Sequence, residues 1–184
     1  NGNYDVNVTV VGNDNYTSEN RVFYNNLTVN PANLTINHGI SVSNVTYGDT
    51  YVDISGNVTS HINSTYGVNY TGKIIVSING TAYSNETTVN RDGSFNVRIY
   101  FQNSLDAGKY NITVKVNLDN NNMNYTGDEY VFRDNLTVEK RSIDIFNVSD
   151  ITVVYGNNDT VTVTGKVNTT SVGQNYTGEI NITI

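Results

Sequence analysis

The chain contains no cysteine and no tryptophan, a single proline, Pro31, and only two histidines, His38 and His61. Without thiols there are no disulfides, no thiolate nucleophile and no Cys-ligated zinc. Charge is scarce: charged residues make up 15% of the chain, and 17 acidic side chains outnumber 10 basic ones, for a formal net charge of −7. That balance argues against nucleic acid as a partner, because phosphate neutralisation needs clustered Lys and Arg. No apolar run approaches the roughly 20 residues that span a bilayer, so no membrane insertion is expected of this segment. Met123 is the only methionine. With no leader-like stretch either, the sequence reads as a mature segment or an excerpt.

What is abundant is amide and hydroxyl: 33 Asn, 23 Thr and 13 Ser among 184 residues. Apolar residues alternate with these at period two, the pattern of half-buried strands, and no stretch of ten or more has a 3.6 period. Strands are expected near residues 33–37, 51–58, 73–79, 83–89, 94–101, 109–117 and 130–138, separated by Asn/Gly/Asp turns. Seven short strands predict an all-β, antiparallel β-sandwich.

The sequence also repeats. Gly2-Asn3-Tyr4-Asp5-Val6-Asn7-Val8 matches Gly108-Lys109-Tyr110-Asn111-Ile112-Thr113-Val114, Asn26-Leu27-Thr28-Val29 matches Asn135-Leu136-Thr137-Val138, and Asn69-Tyr70-Thr71-Gly72 matches Asn175-Tyr176-Thr177-Gly178. The offsets, 106 to 109 residues, are the size of one sandwich domain. Residues 33–140 then form a whole unit, residues 1–32 the C-terminal part of a preceding one, and residues 141–184 the N-terminal part of a following one. Together the end pieces lack a counterpart of about residues 79–107. The expectation is a window on a tandem array, or partial units completed by neighbouring chains. Comparison between units also marks faces: Val52, Ile54 and Val58 match Val161, Val163 and Val167, and Ile74, Val76 and Ile78 match Ile180, Ile182 and Ile184, whereas Ile75 is replaced by Asn181 and should point outward. Phe95, Val97, Ile99, Phe101, Ile112, Val114, Val116, Phe132, Leu136 and Val138 complete the expected core.

Tyr110 follows Leu105-Asp106-Ala107-Gly108-Lys109, and Tyr4 occupies the same place in the first partial unit. Such a Tyr is similar to the tyrosine corner of immunoglobulin-like domains, whose hydroxyl bonds upstream backbone. Together with Tyr155-Gly156, Val161 to Val167, Asn175-Tyr176-Thr177-Gly178, Asp92-Gly93-Ser94-Phe95 and Asn135-Leu136-Thr137-Val138, it makes the chain resemble the immunoglobulin-like repeats of archaeal, methanogen-type adhesin-like surface proteins. The resemblance covers the whole chain and implies tandem immunoglobulin-like sandwich domains in a long extracellular stalk or fibre at the cell surface, with a part in adhesion.

Enzymatic chemistry finds no footing. His38 has Phe146 or Asn147 in its place in the next unit, and His61 lies in a loop that is shorter there, so both read as solvated loop residues. No nucleophile elbow, phosphate loop or zinc motif is present, and no cofactor is expected. Calcium is the one metal considered, at Asp49, Asp92, Asp106, Asp128 and Asp150 and in the run Asn117 to Asn122, although Asp and Asn are also ordinary turn formers.

The strongest chemical signal is Asn-x-Ser/Thr. It occurs 18 times, at Asn7, Asn15, Asn26, Asn33, Asn44, Asn57, Asn63, Asn69, Asn79, Asn85, Asn111, Asn124, Asn135, Asn147, Asn158, Asn168, Asn175 and Asn181. A random arrangement of this composition would hold about 6 to 7 such acceptor motifs. Covalent N-glycans are therefore expected. A competing origin is structural: Asn at i and Thr at i+2 share one strand face, with an inward apolar residue between them.

Two loops, residues 59–68 and 117–124, are each three residues longer than their counterparts in the other units and should meet at one end of a sandwich. They are candidates either for gripping a carbohydrate or host protein, as a ligand-binding adhesin module, or for contacting the preceding domain. The junctions are short, with four residues between Val29 and Leu34, Pro31 among them, and four between Val138 and Ile143. Links of that length predict a stiff rod whose partners are neighbouring repeats and, in fibres, other copies.

Overall fold

The computed structural model describes residues 1–60, 70–118, 124–156, 160–169 and 176–183. Among them the chain is all β, in several sheets, with no helix. Period-two alternation explains why. In the strand Ser94–Tyr100, Phe95, Val97 and Ile99 are buried while Asn96, Arg98 and Tyr100 are exposed; β-branched and aromatic side chains suit such a pleated, half-buried surface.

The strands, in chain order, are β1 (Gly2–Val10), β2 (Glu19–Val29), β3 (Ala32–Ile36), β4 (Ser41–Val42), β5 (Val45–Thr46), β6 (Tyr51–Ser60), β7 (Lys73–Ile78), β8 (Ser84–Thr88), β9 (Ser94–Tyr100), β10 (Gly108–Asn117), β11 (Tyr125–Thr126), β12 (Glu129–Glu139), β13 (Ile143–Phe146) and β14 (Lys166–Thr169). One sheet has the order β5-β12-β10-β7-β8. In the other, β6 pairs with β3, β4 and β9, and β11 adds parallel to β3. One hydrophobic cluster, from Leu34 to Val138, draws on both sheets, an arrangement consistent with a β-sandwich.

All seven expected strands are present, several with ends moved by one or two residues. The short pieces β4, β5 and β11 were not expected. After β3, β4 stays on β6, and β5 crosses to pair parallel with the end of β12, Val138 facing Val45. Val45 is buried there. Every expected core position from Val52 to Val138 is buried; Leu34, Ile36, Val45, Tyr70, Val89 and Leu105 join them. Ile75, expected to point outward, is half-buried and lies opposite Glu86 on β8 and Lys115 on β10.

The flanking ladders repeat the central ones. In β10–β12, Gly108 faces Val138, Tyr110 faces Leu136, and a bulge precedes the Ile112–Phe132 pair. In β1–β2, Gly2 faces Val29, Tyr4 faces Leu27, and a bulge precedes Val6–Phe23. The left-handed residue beyond each bulge is Asp134 (φ 53°) in one and Asn25 (φ 54°) in the other. Likewise β13–β14 pairs Ile143 with Thr169 and Ile145 with Val167, as β3–β6 pairs Leu34 with Ser60 and Ile36 with Val58.

Candidate functional site

The sequons can be placed on this framework. Their middle residues Leu34, Val45, Val58, Tyr70, Ile112 and Leu136 are all buried. Five of these, all but Tyr70, lie on strands, so strand alternation writes part of the Asn-x-Thr pattern. Each sequon Asn among the described residues is exposed except Asn111, which is half-buried; Asn63, Asn69, Asn158 and Asn175 lie outside the described residues.

Several of these amides are engaged. Asn85 Nδ2 donates to the Arg98 carbonyl at 2.8 Å. Asn79 Oδ1 accepts from Thr113 Oγ1 at 2.7 Å, and Asn33 Oδ1 from Thr126 Oγ1 at 2.9 Å. Asn111 Oδ1 accepts the backbone N–H of Asp134 at 2.9 Å. The last three tie neighbouring strands through the polar face, and the first joins β8 to β9 across the two sheets. Asn44 stands in the exposed link between β4 and β5, and Asn147 (φ 54°) just after β13.

Two tyrosines explain why Asn-Tyr-Thr-Gly recurs. Tyr70 Oη donates to the Lys73 carbonyl at 2.9 Å, and Tyr176 Oη to the Glu179 carbonyl at 3.1 Å. Each ring folds over the glycine two residues on, so that a Cβ at Gly72 or Gly178 would overlap it. The same four residue types at Asn124 to Gly127 form β11 against β3. Tyr110 Oη donates to the Asp106 carbonyl at 2.9 Å, the upstream bond expected of it, and Tyr4 Oη donates to the Asn1 carbonyl at 3.5 Å.

Among the described residues no three His, Asp or Glu side chains gather closely enough to hold a metal ion. The acidic turns do local work. Asp49 Oδ2 accepts the N–H of Thr46, Asp128 Oδ2 that of Ile36, and Asp92 Oδ1 both the hydroxyl and the N–H of Ser94. Those Ser94 bonds, the hydroxyl first, hold the Asp92 carboxyl below the usual carboxylate range. His38 is exposed, as expected, yet stacks on Tyr130 at 4.3 Å between centroids. His61 lies outside the described residues, as do residues 61–68 and 119–123 of the two candidate loops. Their anchors do meet: Tyr70 Oη lies 3.5 Å from the Asn117 carbonyl. Asn1 donates to Asn124 Oδ1 at 2.8 Å, and Ala32 N–H to the Asn124 carbonyl at 2.8 Å, at the same end.

Two charged features emerge only from the structure. Arg98 grips Asp53 with two bonds of 2.7 Å and lies 4.0 Å over the Tyr51 ring. The hydrogen bond, then the positive charge, lowers the Asp53 pKa; the reciprocal bond raises that of Arg98. Asp53 and Arg98 face each other in the β6–β9 register, so known pairing would have revealed them where spacing alone does not. Beyond β12, Arg141 Nη2 binds Asp49 Oδ1 at 2.9 Å and Arg141 Nε donates to the Tyr47 carbonyl. The Arg141 side chain is 15% exposed, which makes this the most enclosed ion pair among the described residues.

Comparison with protein-family models, with curated proteins and with solved structures finds no match to this chain.

Proposed function

We propose that the chain is part of a structural, extracellular stalk or filament made of tandem immunoglobulin-like sandwich repeats, N-glycosylated on its polar faces and supporting adhesion at a cell surface. The observation that carries it is the repeated register: β1–β2 pairs as β10–β12 does, and β13–β14 as β3–β6 does. Residues 33–140 are then one unit between parts of two others. The Arg141 clamp supports a stiff link, because it fixes the segment after β12 onto the turn after β5. The exposed sequons support glycan cover. The work is mechanical: holding a distal part away from the surface.

The residues surrounding loops 59–68 and 117–124 favour contact with a neighbouring unit over ligand capture. Asn124 Oδ1 already accepts from Asn1, in the preceding part.

Electron microscopy of the native material, at a resolution that shows side chains and sugars, tests the proposal. The expected image is a beaded thread with branches at exposed sequon Asn residues. Isolated, sugar-free domains would overturn it.

A further inference from the structure

We propose that the sequon at Asn44 carries a glycan whose first sugar is seated in the hollow beside it, against the ring of Tyr51. The inference rests on the glycan reading above and names the site at which a sugar becomes part of the fold.

Asn44 lines a hollow of about 380 Å³ together with Ser43, Asp49, Thr50, Tyr51 and Asp53. One wall is aromatic and the others are polar, which matches a hexose, with its apolar C–H face and hydroxyl edges. The face of a tyrosine ring carries negative potential and attracts polarised C–H groups. Tyr51 is 41% exposed although it begins a strand. Arg98 lies 4.0 Å over the ring. It belongs to β9, whereas the sequon follows β4, and these two strands flank β6 on opposite sides. The ring is therefore steadied from one side, and the sequon lies on the other. Asp53 is held by its two Arg98 bonds and keeps lone pairs for hydroxyl donors. Groups already fixed in this way lose little freedom when a sugar settles on them.

Asn44 is open to glycan transfer where other sequons are engaged. Attachment joins Nδ2 to the anomeric carbon of an activated sugar phosphate. The C–O bond to phosphate breaks, the phosphate leaves with the bonding pair, and Nδ2 gives one of its two protons to a base of the transferase. Asn85 Nδ2 already donates to the Arg98 carbonyl, and Asn111 is half-buried. Asn33, Asn57 and Asn135 lie on strands, so presenting them means opening a ladder. Asn44 lies between two strands of two residues each and makes no hydrogen bond of its own among the described residues.

The next unit supplies a contrast. Tyr47-Gly48 matches Tyr155-Gly156, which sets Thr152 in the place of Asn44, and Val52 matches Val161, which sets Thr160 in the place of Tyr51. The sequon and the ring are absent together, as expected of two residues that serve one contact.

The test begins with the full chain, folded and free of glycans. It is incubated with an asparagine glucosyltransferase and a nucleoside-diphosphate glucose. Peptide mass spectrometry should find hexose on Asn44 at least about tenfold faster than on Asn85 or Asn111. The sugar should raise the melting temperature of the parent by about 2–4 °C. Tyr51→Phe keeps the ring and should keep this gain. Tyr51→Ser should lose it, and Asn44→Gln should show none. Each variant is compared with its own unmodified form, which removes the effect of the substitution on the fold. An equal gain in Tyr51→Ser, or hexose on other exposed sequons before Asn44, would overturn the proposal and leave the glycan reading standing. A folded chain that takes hexose at no sequon sinks both.

Discussion

The side-chain oxygen of Asn111 accepts the backbone N–H of Asp134 at 2.9 Å, across the bulge that separates two registers of the β10–β12 ladder. Asp134 sits there at φ 53°, a left-handed conformation that needs local support. In the β1–β2 hairpin Asp5 Oδ1 makes the same bond to the N–H of Asn25, at 2.8 Å. The bond thus needs an oxygen on a short side chain and not an amide. Asn111→Ala should cost about 1–2 kcal/mol, because it strands a donor at the bulge. Asn111→Asp should stay within about 0.5 kcal/mol of the parent. Urea unfolding of the two variants checks this, and equal losses would refute it.

Gly93 and Gly80 both have positive φ, 86° and 79°, but their surroundings differ. A Cβ on Gly93 would lie 2.6 Å from the Val58 carbonyl oxygen, whereas one on Gly80 would meet nothing within 4 Å. Gly93→Ala therefore combines backbone strain with a clash against a strand that cannot easily yield, and Val58 N–H already donates to the Gly93 carbonyl at 2.8 Å. Gly80→Ala should cost about 1 kcal/mol, and Gly93→Ala at least about 2 kcal/mol more. Thermal melts of the pair measure the difference, and similar losses would show that Val58 gives way.

Much of the fold was legible because alternation is a direct imprint of the pleat. Phe95-Asn96-Val97-Arg98-Ile99 can only be read as a strand with one buried face, and unit-to-unit comparison marked Ile54 and Val58 as inward. The strands β4, β5 and β11 are two residues each, too short to hold a period. Their positions come from tertiary pairing, as when Val45 docks beside Val138. The candidate site was less legible. Counting Asn-x-Thr could name strand alternation as a second source but not apportion the motifs, and the burial of Leu34, Ile112 and Leu136 between their polar neighbours identifies particular motifs that it writes. Arg141 and Asp49 are 92 residues apart in sequence, with no motif to join them.

Acid should weaken the fold modestly. The Asp53 and Asp92 carboxyls have pKa values below the ordinary aspartate value, Asp53 through its bonds to Arg98 and Asp92 through those to Ser94. A group with a depressed folded pKa contributes stability above its unfolded pKa, near 4, and that contribution is lost as pH falls through the folded value. Stability should therefore decline below about pH 4 and be flat through neutrality as far as these groups are concerned. Both side chains face solvent, so the effect is small and screened by salt. Asp53→Asn should lower stability at pH 7 and flatten the acid limb; a parallel curve displaced by a constant amount would assign the acid sensitivity to other carboxylates.

The link after β12 should depend on Arg141 in a way that charge alone does not explain. Its guanidinium spans two acceptors at once, the Asp49 carboxylate and the Tyr47 carbonyl. Asp49 in turn accepts the N–H of Thr46, and Tyr47 N–H donates to the Glu139 carbonyl at 2.9 Å. The turn after β5, the end of β12 and the following segment are therefore fastened together. A lysine has one ammonium where arginine has a planar fork, so Arg141→Lys restores charge but not the paired geometry. Cleavage between residues 139 and 142 by a protease of broad specificity should be slow in the parent and accelerate several-fold in Arg141→Ala. Arg141→Lys should lie nearer to Ala than to the parent, while the melting of the central core, which Arg141 does not enter, should be unchanged in both. If lysine protects as well as arginine, an ordinary ion pair suffices and the fork is not what stiffens the link.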